Sequence, residues 1–132
     1  MKREAFFDSN VPLYLFTGNS AKAERAEDLL AAGGAISVQV LNEFVAVARR
    51  KLVAPWPAVE DALAALQQIC RVEPLTVATH RRAVALAKRY GFPIYDATIA
   101  ASALESGCET LYSEDFQHGQ KIDRLTIVNP FL

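Results

Sequence analysis

Glu4-Ala5-Phe6-Phe7-Asp8-Ser9-Asn10-Val11-Pro12 sets a pattern that the rest of the chain repeats. Glu4 to Asp8 reads as a short buried strand closed by its own acid, and Asn10-Val11-Pro12 then turns the chain, with Pro12 suited to a first helical turn. A strand that ends on polar residues and feeds a helix is the building unit of an α/β fold.

Downstream the unit recurs. Ser20 to Ala32 combines Ala, Leu, Lys and Glu at high helix propensity, and Gly33-Gly34 closes it as a C-terminal glycine cap would. After a strand from Ala35 to Val38, Leu41, Phe44, Val45, Ala48 and Leu52 recur at helical spacing and describe one apolar face ending near Pro55. Pro57 starts an amphipathic helix through Val59, Leu63, Leu66 and Ile69, followed by a strand from Arg71 to Pro74 and a helix from Thr76 to Tyr90, stopped by Gly91. Pro93-Ile94-Tyr95-Asp96 leads into an alanine-rich helix, Ala97 to Glu105. Gly107 and the strands Glu109 to Ser113 and Leu125 to Val128 complete the series. Short strands alternating with helices predict an α/β fold, a largely parallel sheet with helices on both faces, in one domain over residues 1–132.

Composition agrees. A chain of 132 residues, 52% hydrophobic and 22% charged, is long enough to bury a core without disulfide or metal staples, which excludes disorder as its main state. Fourteen Lys and Arg against fifteen Asp and Glu leave a net charge of -1, so a polyanion partner must be held locally rather than by a global positive field. Cys70 and Cys108 match no zinc or redox spacing and read as reduced core thiols. Ala5-Phe6-Phe7 is too short for the apolar region of a signal peptide, and no stretch reaches the roughly 18 apolar residues of a membrane span. The expected location is the cytoplasm, away from membranes.

In folds of this class ligands sit beyond the carboxyl ends of the strands. Asp8 ends the first strand, Glu43 lies in the first turns of the helix after the second, Asp96 opens a helix, and Asp115 follows the strand Glu109 to Ser113. Carboxylates about 4 Å apart repel by about 1 kcal/mol in water and about 4 kcal/mol at an effective dielectric near 20. A hard divalent cation, Mg²⁺ or Mn²⁺, offsets that repulsion and suits phosphodiester chemistry. Taken singly, each acid also has a plain reading: Asp96 as an N-cap, Asp8 and Asp115 as turn residues, Glu43 as a solvated helix residue.

Taken together, the segments resemble the PIN-domain nucleases. Phe6-Phe7-Asp8-Ser9-Asn10-Val11 is similar to that family's opening strand motif, and Ser37-Val38-Gln39-Val40-Leu41-Asn42-Glu43-Phe44 to the segment with its helical Glu. Tyr95-Asp96-Ala97-Thr98-Ile99-Ala100-Ala101 resembles its Asp-led helix, and Leu111-Tyr112-Ser113-Glu114-Asp115-Phe116 its strand-end motif, with Ser113 in the place of the commoner Thr. Ile127-Val128-Asn129-Pro130-Phe131 is a typical close. The resemblance spans nearly the whole chain and is greatest to VapC-type toxins of bacterial toxin–antitoxin pairs. It implies a Mg²⁺- or Mn²⁺-dependent endoribonuclease, with Asp8, Glu43 and Asp96 as metal carboxylates and Asp115 as the fourth acid, chosen over Glu114 by the Ser-x-Asp spacing. Asn10 and Ser113 are then polar supports. The partners implied are RNA, a cognate antitoxin protein and a second copy of the chain as a homodimer.

Other residues carry weaker signals. His80 reads as solvated, while His118, three residues after Asp115, is a candidate substrate or partner contact. Arg49-Arg50-Lys51, Arg81-Arg82 and Lys88-Arg89 are either solvated helix faces or local phosphate contacts. Tyr14, Phe16 and Trp56 read mostly as core. Asp8-Ser9-Asn10 is also similar to the nucleophile loop of haloacid-dehalogenase-type phosphatases, but Asn10 stands where that chemistry needs an acid. The more serious rival is a catalytically silent PIN-like module that binds RNA or protein.

Overall fold

The computed structural model describes residues 4–132. Six strands, β1 (Ala5–Phe7), β2 (Gly34–Ser37), β3 (Cys70–Glu73), β4 (Thr110–Tyr112), β5 (Lys121–Ile122) and β6 (Leu125–Val128), form one sheet in the order β3-β2-β1-β4-β6-β5. All pairs are parallel except β5 with β6. The helices are α1 (Asn10–Leu13), extended by a 3-10 turn at Tyr14–Phe16, α2 (Ser20–Ala31), α3 (Val38–Arg50), α4 (Trp56–Ile69), α5 (Val77–Tyr90) and α6 (Ile94–Glu105).

β1 is central, and the chain grows outward from it in two directions. β2 and β3 are added on one side, then β4 on the other. That reversal makes the crevice beyond the carboxyl ends of β1 and β4 the topological switch point, where open parallel sheets place their ligands.

Local chemistry fixes the boundaries. Ser37 caps α3 by accepting from the Val40 N–H at 3.3 Å. Thr76 and Thr79 form a reciprocal capping box on α5, and Gly91 ends that helix in the left-handed region at φ +76°. α6 is buried almost all round, with Ala97, Ala100, Ala101 and Ala103 fully covered; four small side chains let its backbone approach the sheet and α5 closely. The core beneath it is Phe6, Ile36, Leu111 and Ile127 from the strands, with Val40 and Phe44 from α3.

Several expectations are corrected. Gly33 and Gly34 do not act as a pair: Gly33 takes the left-handed turn after α2, whereas Gly34 is already in β2, where a Cβ would meet Ala5 O at 2.5 Å and the Phe7 ring at 2.6 Å. Trp56 is 49% exposed rather than core, because it opens α4 at a corner and carries the Arg49 guanidinium over its ring at 4.5 Å. Ile69, read as part of the α4 apolar face, is 46% exposed at the helix end. β5, a two-residue edge strand, was not foreseen. Both cysteines are buried free thiols. No described helix is long and apolar enough to cross a membrane.

Candidate functional site at the carboxyl ends of β1 and β4

Asp8 stands just past β1, and its N–H donates to Tyr112 O at 3.0 Å, so the register with β4 continues to the site itself. Its side chain is wholly buried. Oδ1 accepts from the Ser9 N–H at 2.7 Å, and Oδ2 accepts from Ser113 Oγ at 2.6 Å. Burial pushes the Asp8 carboxyl up to about 7; the Ser113 hydroxyl and Ser9 N–H oppose this, and the charges of Asp115 and Glu43 reinforce it.

Glu43 and Asp115 lie near Asp8, and Asp96 feels the charges of the same two. Ser9 Oγ lies 3.2 Å from Glu43 Oε1 and 3.4 Å from Asp8 Oδ1, so one hydroxyl proton serves the gap between two carboxylates. Gln39, one turn before Glu43, donates to its Oε2 at 3.0 Å and fixes its rotamer. Asp96 lies in the first turn of α6, where a negative charge meets the positive end of the helix dipole. It is not the N-cap, a place taken by Pro93. Its carboxyl is raised to about 6 by burial, then by the charges of Asp115 and Glu43.

Asp115 is tied in by two supports. Ser113 Oγ accepts from the Asp115 N–H at 3.0 Å while donating to Asp8, and Asn10 Nδ2 donates to Asp115 Oδ2 at 3.2 Å and reaches Ser113 Oγ at 3.5 Å. Asn10 Oδ1 is buried without a donor. Glu114 takes no part in this cluster. It accepts from Tyr14 Oη at 2.5 Å and pairs with Lys22 at 3.7 Å.

Sequence reasoning missed Ser9, Gln39, Tyr14 and Lys22, whose roles arise from contacts between distant segments; only Gln39, one helical turn from Glu43, carried a local signal. His118 Nδ1 accepts from the Asn129 N–H at 3.0 Å, which pins its loop to the segment after β6. His80 and the basic clusters on α3 and α5 are exposed.

The donor set suits a hard divalent cation. It is all oxygen, it holds an orphaned amide oxygen at Asn10, and burial together with the neighbouring carboxylates raises Asp8 and Asp96. Among the described residues no group of three acidic, His or Cys side chains is placed to hold a metal ion. Ser9, Asn10 and Ser113 space the acids apart. Mg²⁺ keeps several waters and is usually bound directly by one or two carboxylates, so open spacing is compatible with it.

A family model described as PIN domain matches residues 5–123. No curated protein sequence matches significantly. Among solved structures, a toxin–antitoxin complex from Klebsiella pneumoniae is similar at 25% identity and TM-score 0.73, over 96% of this chain and 97% of that one. VapC20 of Mycobacterium tuberculosis, a toxin that cleaves the sarcin-ricin loop, is similar at 24% identity and TM-score 0.70, over 86% and 89%. VapBC2 from Rickettsia felis, bound to a DNA fragment from its promoter, gives 18% and 0.67, over 93% and 96%.

Proposed function

The chain belongs to the PIN domain family, and from that premise we propose that it is an endoribonuclease toxin of a toxin–antitoxin pair, one domain over residues 1–132. It hydrolyses RNA phosphodiester bonds at Asp8, Glu43, Asp96 and Asp115 with Mg²⁺ or Mn²⁺. The observation that carries the reading is the hydrogen-bonded frame in which Ser9, Ser113 and Asn10 join Asp8, Glu43 and Asp115 from separate segments beyond the ends of β1 and β4.

A divalent cation bound there would supply an activated water and neutralise charge on the phosphate. The protein's own work is positioning. Asp8 and Asp96 would hold the cation, Glu43 would be oriented by Gln39 and Ser9, and Asp115 by Asn10 and Ser113. The 2.6 Å bond from Ser113 keeps Asp8 Oδ2 aimed, and the Ser9 N–H does the same for Oδ1. No protein nucleophile is required. Asn10, as an amide, cannot act as the acid that a phosphatase loop would place there.

The toxin–antitoxin complexes among the similar structures support a cognate antitoxin as partner; a homodimer of the chain, in the cytoplasm, completes the proposal. The open spacing of the acids is the feature a silent binding module would share. The test is cleavage of a structured RNA pool by antitoxin-free wild-type protein and Asp8→Ala, with Mg²⁺, with Mn²⁺ and with EDTA. Metal-dependent cleavage absent from Asp8→Ala is the expected result. Folded wild-type protein that binds metal and cuts no RNA would favour the silent module.

A further inference from the structure

We propose that Lys22 binds a backbone phosphate of single-stranded RNA beside the carboxylate cluster, an inference that takes its ligand class from the nuclease reading above. Lys22 lies in the first turn of α2, next to the N-cap Asn19. A cation at that end of a helix is disfavoured by roughly 0.3–1 kcal/mol, so helix stability does not account for it.

The ammonium is nevertheless held in place. It donates to Tyr14 Oη at 3.1 Å and sits over two rings, 4.8 Å from the Tyr14 centroid and 5.7 Å from that of Phe131. Those rings are themselves locked edge to face at 4.6 Å. Such a cradle removes much of the rotamer freedom that an ordinary surface lysine would lose on gripping a ligand.

Its bonding capacity is not used up. An ammonium has three donors. Tyr14 takes one, and Glu114, at 3.7 Å, is an ion pair beyond hydrogen-bond distance. Glu114 has its own 2.5 Å bond from Tyr14, so the ammonium can turn toward a phosphate while Glu114 stays held. The side chain is 36% exposed.

Location decides what the spare donor meets. Tyr14 bonds Glu114 while Asn10, four residues earlier, bonds the adjacent Asp115, so Lys22 stands on the Asp115 side of acids that repel any polyanion. Arg89 pairs with Asp123, Arg124 donates to Leu104 O, and Arg71 pairs with Glu4 and Glu73, so none of these three takes that place. A strand of RNA crossing the cluster needs a positive contact at its edge, and Lys22 is placed to be that contact.

The experiment measures binding of a fluorescent single-stranded RNA pool by anisotropy, in the Asp8→Asn background, across about 50–200 mM salt, with Lys22 intact or replaced by Gln or Arg. Lys22→Gln should weaken binding about threefold to tenfold at low salt and flatten the slope of log affinity against log salt by about 0.7, the signature of one phosphate contact on a single strand. Lys22→Arg should restore the slope, and Tyr14→Phe, which keeps the cation, should leave it unchanged. With Asp8 intact, Lys22→Gln should raise KM by the same factor and change kcat less than about twofold. An unmoved slope, failure of Arg to restore it, or no RNA binding by any version overturns the proposal. Cleavage with an unmoved slope sinks the phosphate contact and spares the nuclease; a Lys22-dependent slope without cleavage does the reverse.

Discussion

Replacing Asp8 with Asn should make the metal-free protein more stable while abolishing its chemistry. Burial, with the charges of Asp115 and Glu43, holds this carboxyl at about 7 in the folded protein, against 3.8 for an unperturbed aspartate. A folded chain that keeps its proton more tightly than the unfolded one has this contribution in full below about pH 4 and loses it as pH rises through about 7. At about 1.4 kcal/mol per pH unit the ionised carboxylate costs about 4 kcal/mol above neutrality. The amide removes that cost. It keeps an oxygen for the Ser9 N–H, but its nitrogen cannot accept from Ser113 Oγ, which already accepts from the Asp115 N–H. Losing a hydrogen bond to a charged group returns about 1.5–3 kcal/mol, leaving a net gain of about 2 kcal/mol near pH 8. For a chain of this size that is a rise in Tm of about 6–10 °C. Thermal melts in EDTA from about pH 5 to 8.5 should show the gain shrinking as pH falls. A variant no more stable than wild type near pH 8, or a difference that pH does not change, would refute the reasoning.

Two further substitutions test the supports and the frame. Ser113→Ala removes the donor to Asp8 and the acceptor for Asp115, and should cost about 1–3 kcal/mol in urea unfolding together with at least a tenfold loss of cleavage. Gly34→Ala drives a Cβ into Ala5 O and the Phe7 ring, and should cost about 1–3 kcal/mol or more by the same measurement, with folded protein retaining metal-dependent cleavage.

The order of elements was legible in the sequence because each helix carries its own signals. Thr76 and Gly91 bracket α5, and the polar ends of β1 and β4 mark the site-bearing edge. β5 was not, since two residues, Lys121 and Ile122, show no period; they are fixed by pairing with Thr126 and Leu125. Likewise the acids could be named one by one, yet what spaces them could not. Ser113 meets Asp8 across 105 positions, and Ser9 meets Glu43 across 34. Those contacts follow from strand register, which no local window contains. The N-cap reading of Asp96 failed for a related reason: Pro93 starts the helix three residues earlier, and Asp96 is left free to face the cluster.

The central position of β1 has a consequence for the protein's own synthesis. β1 is made before β2 and β3, but its partner on one side, β4, leaves the ribosome after both. A nascent chain that has passed Asp96 already carries three of the four acids. It still lacks Ser113, the hydroxyl that aims Asp8, and the strand that seats it. A translation product broken off before residue 113 therefore lacks both Ser113 and Asp115, and the proposed site is complete only once the chain has passed β4.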